Sequence, residues 1–159
     1  MRQMLSLVLV GTLALLAPLT GVRADQDFHT ERLPLTLTAE GAETDPPHPA
    51  LRSGHVVDIH ANGPQIGALE RYLINGARAN SSYEVVLEVF AGDCAGAELA
   101  PVTTTTLETN RQGNAHGGFV FSAADLAPLQ GAIVGVQWTL VDAEGIIAYE
   151  TPCIVVTVD

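Results

Sequence analysis

The chain contains no lysine. That absence excludes Schiff-base and lysine general-base chemistry, and leaves seven arginines as the permanent positive charges against 18 carboxylates. No serine sits in a Gly-x-Ser-x-Gly or Ser-x-x-Lys setting, and no glycine loop suited to cradling phosphate is present, so the usual nucleophile and nucleotide motifs are missing. Aromatic residues make up only 5 % of the chain. A sugar-stacking platform would have to draw on Tyr72, Tyr83, Trp138 and Tyr149 plus four Phe, and Trp138 falls on an apolar strand face and reads as core. Nucleic acid and anionic lipid both require a basic footprint, which a chain of net charge −11 does not offer.

The N-terminus is what is there first. Arg2 precedes an apolar run from Leu5 to Leu19, interrupted only by Ser6, Gly11, Thr12 and Pro18, and Val22-Arg23-Ala24 follows. A positive start, a short apolar centre and small residues at the −3 and −1 positions are the marks of a secretory signal peptide, with cleavage expected after Ala24. The run is too short for a stable span, which needs about 20 apolar residues, so no transmembrane segment is expected after cleavage. The expected localisation is secreted or periplasmic. Two Arg lie before the cut and every acidic residue after it, so the remaining 135 residues carry −13. That length suits one domain with one core. Cys94 and Cys153 are the only cysteines, and in an oxidising compartment an even pair is most simply one disulfide.

Alternation of period two dominates the rest. Leu33, Leu35 and Leu37 alternate with polar residues, and Pro34 places that strand at a sheet edge because it cannot donate to a ladder. The Pro-rich stretch Gly41 to Arg52 reads as a loop or linker. This divides the chain into a signal peptide (1–24), an N-terminal strand with its linker (25–52) and the main domain (53–159). Within the last, strands are expected around Val57 and Ile59, over Tyr83 to Val89, Val102 to Thr109, Phe119 to Phe121, Val134 to Leu140 and Ile154 to Val158. Ile66 to Ala77 fits either a helix face or a strand, and the Asn75-Gly76 turn after it favours strand. Asn110 to Asn114 and Asp142 to Gly145 read as hairpin turns. A short helix at Ser122 to Leu126 is signalled by Ser122 with Asp125 three residues later, a capping box. Seven to nine short strands with regular turns indicate an all-β antiparallel sandwich.

The stretch Asn75-Gly76-Ala77-Arg78-Ala79-Asn80-Ser81-Ser82-Tyr83-Glu84-Val85-Val86-Leu87 resembles the loop-to-strand turn of fibronectin type III and immunoglobulin-like modules, in which a Tyr opens a strand. It differs in having Ala79 where Pro is usual. The resemblance implies a sandwich of that kind in which the Tyr83 hydroxyl bonds back to the preceding loop. Asn80-Ser81-Ser82 is also formally a glycosylation sequon.

Candidate chemistry is sparse. Asp58 and His60 leave one face of a strand, and with His116 near a turn they form the least poor metal-ligating or catalytic set. Their spacing matches no diagnostic pattern, and the solvated side of a half-buried strand accounts for the pair. Glu84 and Glu88 read as an outward acidic face, and Asp142 and Glu144 as a hydrophilic turn that could lend oxygens to Ca²⁺. The expectation is a non-catalytic binding or structural module of the cell exterior, without cofactor or metal, meeting an extracellular protein or glycan through its loops. The alternatives are an exported metal-dependent or hydrolytic enzyme using Asp58, His60 and His116, and a carbohydrate-binding module.

Overall fold

The computed structural model describes residues 28–61 and 67–158. The leader expected over residues 1–24, and Ile66, lie outside them. Ten strands among the described residues form two antiparallel sheets. The first has the order β1 (Phe28–Pro34), β3 (Ser53–Ala61), β4 (Ala68–Asn75), β7 (Ala115–Phe121). The second runs β2 (Thr36–Leu37), β9 (Ile147–Glu150), β8 (Ile133–Asp142), β5 (Ser82–Ala91), β6 (Val102–Glu108), and β10 (Ile154–Thr157) pairs with the other half of β8. Among the described residues no helix is long and apolar enough to cross a membrane.

The alternation read from the sequence survives on most strands. Tyr83, Val85, Leu87 and Val89 of β5 and Val134, Val136, Trp138 and Leu140 of β8 are buried between the sheets, as alternate residues on a pleated strand must be when one face meets a core. Tyr72 and Ile74 of β4 and Val56 of β3 meet them from the first sheet. The ambiguous stretch is a strand, β4. Ser122 and Asp125 form the capping box of α2 (Ala123–Leu126), which continues into a 3-10 turn at Ala127–Leu129. Pro34 lies on β1, the edge strand of its sheet.

The Pro-rich stretch Gly41 to Arg52 is a loop beyond the end of α1 (Ala39–Glu43), and its His48 is buried. Two expectations change. The one strand expected over Leu33, Leu35 and Leu37 is divided: β1 ends at Pro34 and pairs with β3, while β2 (Thr36–Leu37) pairs with β9 in the other sheet. Asn110 to Asn114 joins β6 of the second sheet to β7 of the first, so it passes between sheets and is not a hairpin turn. Its Asn110 side chain accepts from the Gln112 and Asn114 backbone N–H groups, which folds the loop on itself without a ladder to close. Asp142 to Gly145 does close a hairpin, between β8 and β9.

Cys94 and Cys153 are bonded, with Cα atoms 6.0 Å apart. Cys153 lies between β9 and β10, and Cys94 in the β5–β6 connection, which passes against β8. Gly135 permits that approach: a Cβ there would stand 2.7 Å from the Asp93 carbonyl carbon and the Cys94 nitrogen.

Candidate functional site

The register of the first sheet decides where the candidate residues go. Val56, Asp58 and His60 of β3 stand opposite Tyr72, Glu70 and Ala68 of β4, and directly opposed residues of an antiparallel pair share a face. Tyr72 and Glu70 are buried against the second sheet, so Asp58 and His60 turn inward with them. The expectation of a solvated strand side is corrected: Asp58 is 7 % exposed. Both faces of β3 carry apolar residues, so alternation alone does not choose between them; packing of Val56 in the core does. His116 pairs with Leu73 on the other face of the sheet and is exposed. The backbone layer therefore separates it from Asp58 and His60. Among the described residues no group of three or more His, Cys, Asp or Glu side chains is placed to hold a metal ion.

What the inward turn builds is an unusual row. Glu31 of β1, Asp58 of β3 and Glu70 of β4 lie side by side across three strands, with His29 and His60 in the next row. Glu31 and His29 pair at 2.7 Å and are half exposed at the sheet edge, whereas Glu70 is 1 % exposed. Asp58, His60 and Glu70 line one side of a cavity of about 90 Å³ between the sheets. Its remaining wall is largely apolar, from Val134 and Val136 of β8, Val156 of β10, Phe121 of β7 and Leu126 of α2, with Trp138 and Thr157 among them.

Burial pushes the Glu70 carboxyl up to about 7; the Tyr72 hydroxyl opposes this and the charge of Asp58 adds to it. Asp58 is raised as well, chiefly by burial, with His60 pulling the other way and Glu31 adding. The Tyr72 hydroxyl donates to Glu70 Oε2 and lies 2.8 Å from Thr104 Oγ1, which donates to the Val85 carbonyl at 3.2 Å. The buried Trp138 Nε1–H acts on Glu70 to lower its proton affinity, while the contact falls short of a full hydrogen bond. His60 Nε2 is buried and has no hydrogen-bond partner among the described residues. The ion pairs among the described residues are His29–Glu31, His48–Asp142 and Arg78–Asp142. None includes Asp58 or Glu70. Chemically the cavity offers two carboxyls that can take up or release a proton, one indole donor and a largely apolar wall.

A second polar cluster lies elsewhere in the fold and has a different character. His48 Nε2 is 2.8 Å from Asp142 Oδ2, and its Nδ1 is 3.1 Å from the Tyr83 hydroxyl. Tyr149 donates to the Pro49 carbonyl at 2.8 Å. Burial raises the Tyr83 hydroxyl against the pull of the Arg78 backbone N–H. Burial also works against ionisation of Asp142, but the Ile146 N–H, the His48 ring and the Glu144 N–H together outweigh it and hold the carboxyl below its ordinary range. With both oxygens accepting hydrogen bonds, Asp142 anchors its turn and residues 48–49. Sequence reading missed His48, a lone histidine in a Pro-rich stretch without any local motif.

Tyr72, Tyr83, Trp138 and Tyr149 are all buried, so none of these rings offers a face on which a sugar could stack. Glu84 is exposed and Glu88 half-buried on the outer face of β5, as expected. Comparison with family models, with curated proteins and with solved structures finds no match to this chain.

Proposed function

We propose that this protein is an exported, non-catalytic β-sandwich module of the immunoglobulin and fibronectin type III kind, which holds a small ligand in the cavity between its sheets. Export is supported by the leader-like residues 1–24 and by the Cys94–Cys153 bond, a feature of oxidising compartments. The kinship is supported by strand order. Counting β3 as first and β9 with β10 as seventh, the first, second and fifth strands share one sheet, and the fourth, third, sixth and seventh the other. This is the constant-type immunoglobulin arrangement with its fourth strand moved to the opposite sheet.

The observation that carries the binding role is the cavity itself: a mostly apolar hollow with a few convergent polar groups is the usual form of a small-molecule site. The Asn110 and Asp142 side chains hold their turns in shape and leave Arg111, Gln112, Ala143 and Glu144 exposed, so these loops also stay available to an extracellular protein or glycan. Xenon is the probe of choice, since it enters apolar cavities without making polar bonds. In NMR spectra of the mature chain its addition is expected to shift the methyl signals of Val134, Val136, Val156 and Leu126. Shifts confined to surface residues, with these methyls unmoved, would remove the cavity from the reading.

Glu70 favours a second reading. A carboxyl held near 7 in an apolar hollow is poised as a general acid, which suits an exported hydrolytic enzyme better than the set Asp58, His60 and His116, divided by the sheet. A hydrolytic activity that co-purifies with the chain and disappears in Glu70→Gln would establish that reading over the first.

A further inference from the structure

We propose that the inter-sheet cavity selects a small organic ammonium ion, its cationic head held between Asp58 and Glu70 and its short hydrocarbon body lying against Val134, Val136, Val156 and Leu126. This rests on the binding role proposed above and adds the class of ligand.

The first ground is missing charge. Asp58 and Glu70 are opposed across adjacent strands, where Cβ atoms stand about 5 Å apart, and both are buried. Two carboxyls so placed cannot both ionise cheaply without a cation. The chain has no lysine, and the ion pairs among the described residues leave both acids out. The rings of His60 and, at the sheet edge, His29 oppose the charge of Asp58 but not that of Glu70, so with both acids ionised the balancing charge comes from a cation that enters the cavity; without one, a proton takes its place.

The second ground is the indole of Trp138. Trp138 lines the cavity, and its buried Nε1–H acts on Glu70 while falling short of a full hydrogen bond. A cation that keeps Glu70 ionised strengthens that attraction, since a carboxylate accepts better than a neutral acid. An amine entering uncharged reaches the same state by taking the Glu70 proton: the O–H bond breaks, an N–H bond forms, and the ion pair stays in place.

The third ground is the rest of the wall. Hard metal cations require six or more oxygen ligands, more than two carboxylates beside a largely apolar wall supply. An alkylammonium uses both halves of the site. With about 90 Å³ available, against the roughly 150 Å³ that accommodates benzene, a body of about four carbons fits.

The groups facing the pair are Glu31 and His29 from β1, His60 from β3, Tyr72 from β4, and Thr104 and Trp138 from the second sheet. Glu70 titrates in the neutral range, so ammonium binding strengthens as pH rises from 5 to 8.

The test titrates the mature chain at pH 7.5 with n-butylammonium chloride, n-butanol and calcium chloride, followed by calorimetry and by the cavity methyl signals. The expected result is that butylammonium shifts those methyls and binds at least tenfold more tightly than butanol. Glu70→Gln and, independently, Asp58→Asn are expected to remove that preference, so that butylammonium and butanol bind alike within each variant. Either variant alone suffices if the other fails to fold. Butanol binding as tightly as butylammonium would overturn the ammonium class and leave the cavity reading standing. Silence of the methyls toward xenon and both organic probes would overturn the two together. Calcium competing at the same methyls would overturn the organic class in favour of a metal.

Discussion

Asp58 and Glu70 face each other across β3 and β4, both turned into the interior of the sandwich and neither paired with a cation among the described residues. A fold that buries two carboxyls this way is more stable with a proton on them, which makes stability itself a reporter of the site.

The sign follows from Glu70. Its carboxyl is raised in the folded chain from 4.5 to about 7, so the folded state holds the proton more tightly than the unfolded one. The associated stability is fully present below pH 4.5 and is lost as pH rises through about 7, by about 3 kcal/mol on the scale of 1.36 kcal/mol per pH unit. Asp58, also raised, adds in the same direction. Urea unfolding of the ligand-free protein between pH 4.5 and 8 should show this decline, and Glu70→Gln should flatten it. An unchanged slope in the variant would place the titration elsewhere.

His48 ties residues 48–49 to the sandwich through Tyr83 and Asp142. His48→Ala removes both bonds and leaves a buried carboxylate with less support, at a cost of about 3 kcal/mol. Tyr83→Phe should cost about 1 kcal/mol, since only one hydrogen bond is lost. Chemical denaturation at pH 7 compares them. The Asp142 contribution is present above its ordinary value of 3.8 and is lost as pH falls below it.

The disulfide closes a sequence separation of 59 residues. On the chain-entropy account such a closure is worth about 4 kcal/mol. The double variant Cys94→Ala, Cys153→Ala should lose that amount in urea midpoints, and alkylation of native, unreduced protein should label neither cysteine.

Gly135→Ala sets a methyl against the backbone of Asp93 and Cys94, at 2.7 Å from each. Backbone held by a disulfide yields poorly, so the substitution should cost about 1–3 kcal/mol as overpacking does. A thermal melt of the variant measures it, and an undiminished midpoint would mean that the β5–β6 connection shifts freely.

Export predicts cleavage after Ala24. Intact mass and N-terminal sequencing of material secreted by its own host should find Asp25 first. A mature chain that still begins at Met1 would overturn the proposed localisation.

Sequence by itself determined most of the strands, because a half-buried pleated strand imposes a period of two that Tyr83 to Val89 and Val134 to Leu140 display in full; the four-residue β9 is too short to show it. It determined the α2 cap at Ser122 and Asp125, a motif contained within four residues, and the Cys94–Cys153 pair, the one pairing two cysteines permit. Tertiary structure decided what depends on partners far away in the chain. On β3 both faces carry apolar side chains, so only pairing with β4 and packing against the second sheet turned Asp58 and His60 inward and left His116 outside. His48 meets Asp142 across 94 residues, a contact that no local pattern encodes. The cavity is of the same kind: its walls come from both sheets and α2, and its chemistry arises from carboxyls whose burial, and hence whose proton affinity, exists only once the sheets have closed on each other.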